Sequence, residues 1–196
     1  MNTTYSQPDT LIGATLAPLD WTRSVPLVFA FSLLTALAAQ IAIPIGAIPI
    51  TGQTFAVLLT GALLGSRLGA AAIIVYLLEG ACGLPFFAGG SGGVVHLLGP
   101  TGGYLVAFPA AAYITGAFAE NGWDKHFFTA VAAMFVGSVV IILAGAAWFS
   151  VLMRTPLLSS LRIGVVPFIL GDIIKIVLAA AVLPAGWALL RRKASQ

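Results

Sequence analysis

The sequence predicts an all-α integral membrane protein: six transmembrane helices, both termini cytoplasmic, and a ligand pocket near the outer face. Three observations predict it. Of 196 residues, 60% are hydrophobic and 8% charged, against about 25% charged in soluble domains. The charges cluster, leaving uncharged runs such as Ser24–Ser66 and His126–Met153, and runs of roughly 18 or more apolar residues mark membrane-spanning helices. Lys and Arg also divide unequally between alternate loops.

The elements follow in order. The whole chain, 1–196, reads as one transmembrane domain, with a polar cytoplasmic tail over 1–23 and a basic cytoplasmic C-terminus over 191–196. The first 22 residues hold no Lys or Arg and no apolar core, so they do not read as a cleavable signal peptide. The first span covers about Ser24–Ile43. The second (Ile48–Gly65) and third (Leu68–Phe86) meet at the turn-like "GSRLG". The fourth covers Gly103–Ala119, the fifth His126–Leu152 and the sixth Val165–Leu190. Residues 83–104, "GLPFFAGGSGGVVHLLGPTGGY", are too rich in Gly and Pro for a helix.

The second and third segments are short for the ~20 residues a span needs, and one long helix interrupted at Arg67 is the alternative. Loop charge decides between them, because Lys and Arg accumulate on the cytoplasmic side. Six spans put Arg23, Arg67, Lys125, Arg191, Arg192 and Lys193 inside, and only Arg154 and Arg162 outside. Five spans leave no such bias. The outward loops are then 44–50, 84–103 and 153–164. The first two are uncharged yet broken by Pro and Gly, and irregular backbone at membrane depth is tolerated where it lines a cavity. They read as a cap over a pocket.

Asp172 and Lys175 stand within the last span, one turn apart on the same face. An ionisable residue inside a span costs at least ~2.5–3.5 kcal/mol. A self-neutralising pair that only fixes packing is conceivable, but an apolar pair packs more cheaply; intramembrane charges default to function. Thr51 and Gln53 lie where "PITGQTF" turns from loop to helix. Thr51 reads equally as a helix cap; Gln is a poor cap, which makes Gln53 the better ligand candidate. Tyr104, taken alone, reads as an interfacial belt residue. Glu79 reads as a second buried acid or an interfacial carboxylate. Ala38 and Ala42, with Ala39 beside them, form a small-xxx-small pair on the first span, suited to close helix packing or to docking a membrane partner.

Other chemistries find no support. The glycine stretches lack the Lys-Ser/Thr ending of a phosphate loop. His96 and His126 are isolated, so no metal site is expected, and Cys82 is the only cysteine. No nucleophile–base arrangement can be assembled, so the chain is not expected to be an enzyme. Its basic residues cluster at a terminus, as a membrane anchor does, without the patch that nucleic acid wants.

Four stretches, "PITGQTFAVLLTGALLG", "LEGACGLPFFAGGSGG", "GPTGGYL" and "PFILGDIIK", resemble in order and spacing the biotin-transporter family, the BioY-type substrate-binding (S) components of energy-coupling-factor (ECF) transporters. The resemblance covers about residues 44–176. It implies a six-helix bundle of the bacterial cytoplasmic (inner) membrane that binds biotin from the outer face. The site it implies comprises Thr51, Gln53, Tyr104, Asp172 and Lys175, with Phe86 and Phe87 beside Tyr104 as apolar wall. It also implies a membrane scaffold subunit and a pair of cytoplasmic ATPases, partners that some members lack; the Ala38/Ala42 face is where the scaffold is expected to dock. Biotin is cargo, and no cofactor is expected. Glu79 stands where an uncharged residue is commoner in the family. Two competing functions stand beside biotin uptake: an S component for another vitamin, against which the Asp/Lys pair with "PITGQT" favours biotin, and a proton- or ion-coupled transporter cycling a proton on Asp172.

Overall fold

Glycine, proline and polar residues set the helix ends in the computed structural model, which describes residues 10–16, 19–44, 48–165 and 168–194. Residues 1–9 of the expected tail, 45–47 of the first outward loop, and Val166 and Pro167 at the start of the sixth segment lie outside it. So do the side chains of Arg191 and Lys193.

Helix α1 (Leu11–Leu16) precedes α2 (Trp21–Gln40). Two short antiparallel strands follow, β1 (Ala42–Ile43) and β2 (Ile50–Thr51), with Ala42 opposite Thr51. Helices α3 (Gln53–Leu64) and α4 (Ser66–Ala81) come next, then α5 (Val94–Leu97), α6 (Gly102–Glu120), α7 (Phe127–Met153), α8 (Leu157–Val165) and α9 (Ile169–Ala194). Four of these, α2, α6, α7 and α9 (through Leu190), are long and apolar enough to cross a membrane. Leu33 and Leu37 on α2, Phe128 and Phe135 on α7, and Leu170 and Leu178 on α9 are exposed, an apolar exterior suited to lipid.

The short second and third segments are two helices that fold back on one another. Gly65 between them has φ +87°, a left-handed conformation that costs glycine little. Past it the chain reverses, and the backbones of Gly61 and Gly69 meet so closely that a Cβ on Gly69 would lie 2.8 Å from the Gly61 Cα. A single straight helix would hold those residues about 12 Å apart at ~1.5 Å per residue. The interrupted-helix alternative is therefore excluded. Glu120 at the end of α6 fixes the reversal by accepting from the Ser66 N–H (2.6 Å) and hydroxyl (2.8 Å); the carboxylate thus satisfies an orphan donor at the start of α4.

Helix α3 is buried on almost every side, including Ala56, Val57, Leu58, Thr60 and Ala62, as an all-apolar helix must be. Its 12 residues rise about 18 Å, well short of a bilayer core of ~30 Å. The β1–β2 segment leads into the N-terminal end of α3, and a cavity lies beside both.

Four expectations need correction. Residues 11–16 are helical and Thr10 is 1% exposed, so the N-terminal region is not simply a polar tail. Leu11 packs over Gly186 of α9, an apolar contact that gives this turn something to fold against. The glycine-rich 83–104 segment contains the short α5, and the expected outer loop 153–164 contains α8. Finally, Ala38 and Ala42 share no helical face. Helix α2 ends at Gln40, Ala42 pairs in the strand ladder, and the Ala38 carbonyl faces Gly52, where a Cβ would come within 2.7 Å.

Candidate functional site

A cavity of about 310 Å³ opens between the ends of α3, α6, α7 and α9 and the loops beside them, near the low end of the roughly 300–1,000 Å³ usual for small-molecule sites. Thr51, Gln53, Phe87, Tyr104, Asp172 and Lys175 all line it. These six residues come from four separate stretches of chain, and the fold brings all of them together. Phe86 does not join them. It packs against the core, and its carbonyl accepts from the Tyr76 hydroxyl at 3.3 Å.

The charged end is built by α9. Lys175 Nζ donates to Asp172 Oδ1 at 3.2 Å and to Thr54 Oγ1 at 3.0 Å. The second carboxylate oxygen, Oδ2, faces the Ser138 hydroxyl of α7 at 3.5 Å, a long contact. Asp172 is 8% exposed, so the pair stands in a largely dry setting where mutual neutralisation is required. The i, i+3 spacing puts both groups on the face of α9 turned to the cavity. This answers why lipid-soluble sequence tolerates them: they face protein and cavity, away from acyl chains.

The amide end is built by α3. Thr51 donates to Gln53 Oε1 at 2.9 Å and accepts from the Gln53 N–H at 3.4 Å. Gln53 Nε2 in turn donates to the Tyr76 hydroxyl. Gly52 holds the cap position of α3, and Thr51 beside it holds both the backbone and the amide of Gln53. Tyr104 is no belt residue, since its hydroxyl donates to the Gly164 carbonyl at 3.2 Å and its ring stands over Gly145. Apolar walls come from Phe87, Tyr104, Leu105, Phe108 and Ile141, and His96 and Ser91 stand at the rim.

Thr54, Tyr76 and Ser138 escaped the sequence reading. Thr54 lay inside a quoted motif, adjacent to Gln53, without a feature to separate it. Tyr76 and Ser138 are single polar side chains in apolar helices, a pattern shared by many packing residues. Glu79 sits off the cavity lining and accepts from the Ser32 hydroxyl across the α2–α4 seam.

A model of the BioY family matches residues 6–192. The chain belongs to the BioY family. Among its BioY relatives is a probable biotin transporter of Pyrococcus horikoshii, 42% identical over 154 residues that span 78% of this chain and 89% of the relative. The biotin transporter of Thermotoga maritima is 38% identical over 78% of this chain and 88% of its own length. That of Rhizobium etli is 34% identical over 76% and 88%. The fold matches the crystal structure of an S-component for biotin from an ECF-type ABC transporter, with a TM-score of 0.79 and 27% identity, covering 90% of this chain and 95% of that one. This BioY-family chain is a multi-pass membrane protein of a transporter family, and not an enzyme.

Proposed function

We propose that this chain captures biotin as the S component of an ECF-type transporter. One observation carries the proposal beyond family membership: the six residues read from sequence converge on a single cavity with a neutralised Asp/Lys pair at one end. Biotin offers two ureido N–H donors, one carbonyl acceptor, an apolar bicycle and a carboxylate tail. In this proposal Asp172 accepts a ureido N–H, and Lys175, 3.2 Å from Asp172 Oδ1, donates toward the ureido oxygen. Phe87 and Tyr104 cover the bicycle, and Thr51 or Gln53 holds a polar part of the ligand. Isothermal titration of the purified, biotin-stripped protein with biotin is expected to give tight binding at one site per chain. A folded protein that releases no heat and displaces no labelled biotin would reassign the cavity to another ligand.

We also propose six crossings, by α2, α3, α4, α6, α7 and α9, with both termini cytoplasmic and the cavity facing outward. The reversal at Gly65 supports the even count, and Arg23, Arg67, Lys125 and Arg192 all belong to the end of the bundle away from the cavity. With Cys82 replaced, Arg162→Cys is expected to react with an impermeant maleimide on intact cells, and Arg67→Cys only after permeabilisation. The opposite pattern would invert the molecule. Transport needs an energy input, which we assign to a membrane scaffold subunit and a pair of cytoplasmic ATPases in the cytoplasmic membrane. No cofactor enters the proposal.

A further inference from the structure

Gln40, the last residue of α2, is exposed, and a polar residue at such a helix end is ordinarily left to solvent. Its amide is instead fully engaged. Nε2 donates to the Ala36 carbonyl of its own helix at 3.0 Å and reaches the carbonyls of Phe87 (3.3 Å) and Pro85 (3.4 Å). Oε1 accepts the Gly90 N–H at 2.9 Å. Gly90 has φ +70°, a conformation open to glycine that turns this N–H toward the amide. One side chain thereby grips the loop 85–90 on both its donor and acceptor edges, much as a paired strand would.

That loop carries part of the cavity. Phe87 and Ser91 line it, and they close on each other through the Phe87 N–H and the Ser91 carbonyl at 2.9 Å. The Phe87 ring is 2% exposed and packs edge-on to Tyr76, centroids 5.7 Å apart. At its base the loop is tied to α4 by the Gly93 N–H and the Gly80 carbonyl at 2.7 Å. Among the described residues, the side-chain hydrogen bonds that tie this loop to α2 are those of Gln40. Gln40 also leads into the β1–β2 segment, whose Ile48, Pro49 and Thr51 line the same cavity.

We infer that Gln40 is a positioning residue for ligand retention: by clasping loop 85–90 to the end of α2, it holds Phe87 and Ser91 against the cavity and slows escape of the bound molecule. The inference rests on the proposed biotin reading for the identity of that molecule. The clasp itself does not. Losing it leaves the α4 anchor and the Phe87 packing in place, so the loop opens more often without unfolding. Opening governs exit more than entry, and the effect belongs in the dissociation rate.

The test uses the full chain in detergent, with Gln40→Met, which keeps side-chain length and helix propensity, and Gln40→Glu, which keeps the acceptor for Gly90 but removes both donors. Dissociation of labelled biotin is expected to quicken about three- to tenfold, the equivalent of one net hydrogen bond, with association nearly unchanged. Hydrogen exchange over residues 83–93 without ligand is expected to rise in both variants. Unchanged exchange would remove the clasp, and faster exchange with unchanged dissociation would remove its role in retention. Should the wild type not bind biotin, the exchange result still decides the clasp, and the failure belongs to the substrate.

Discussion

Asp172→Asn is expected to lower biotin affinity by about two to three and a half orders of magnitude, the equivalent of the roughly 3–5 kcal/mol lost when one member of a buried pair is removed. Two losses combine. The ligand exchanges a charged acceptor for a neutral amide, and Lys175 loses its anionic partner, keeping only neutral acceptors, Thr54 Oγ1 at 3.0 Å and the new amide oxygen. Lys175→Met makes the mirror-image case, stranding the carboxylate with the long Ser138 contact. The double variant separates the two losses. With both charges gone, thermal stability should recover toward or above that of wild type, because well-packed neutral groups replace a costly pair. Affinity should stay low, because the ligand's partner is still missing. Calorimetry beside thermal unfolding in one detergent reads both. Wild-type affinity in Asp172→Asn removes that carboxylate from the site, and full recovery of binding in the double variant makes the pair structural.

What could be read in advance follows from cost. A charge in an apolar run is expensive, so Asp172 and Lys175 announced themselves. A glutamine at a loop-to-helix transition is unusual enough to single out Gln53. Hydroxyls carry no such cost: Thr54 and Ser138 can bond locally in any helix, and only the three-dimensional meeting of α3, α7 and α9 shows that they complete the charged cluster. Helix positions were legible for the same reason, since apolar length is a strong signal over α2, α6, α7 and α9. Short helices were not. The six residues of α1 and nine of α8 are too few for hydropathy to speak, and their packing partners lie far away in sequence. The Ala38/Ala42 pair misled because small-residue spacing presumes a continuous helix, and the chain leaves α2 at Gln40. Gln40 itself carried no signal, because the loop it grips begins 45 residues later in the chain.

Gly145→Ala is expected to weaken biotin binding by about tenfold or more while the bundle still folds, and Tyr104 explains why. A methyl group on Gly145 of α7 would lie 2.3 Å from two carbons of the Tyr104 ring, well inside contact distance. At the other end of the same side chain, a methyl on Gly164 would lie 2.3 Å from the Tyr104 hydroxyl oxygen. Two glycines therefore bound the tyrosine, and a ring pushed off Gly145 has the cavity as its free side. Overpacking of this kind costs roughly 1–3 kcal/mol, and here it is paid in ligand space. Tyr104→Ala alone should also weaken binding, by removing a wall and leaving the cavity larger than the ligand. In that background, adding Gly145→Ala should change affinity little, since the clash has lost its partner. Such non-additivity is what two residues in direct contact produce. An equal loss from Gly145→Ala in both backgrounds would place the cost between the α6 and α7 backbones and leave Tyr104 without this role.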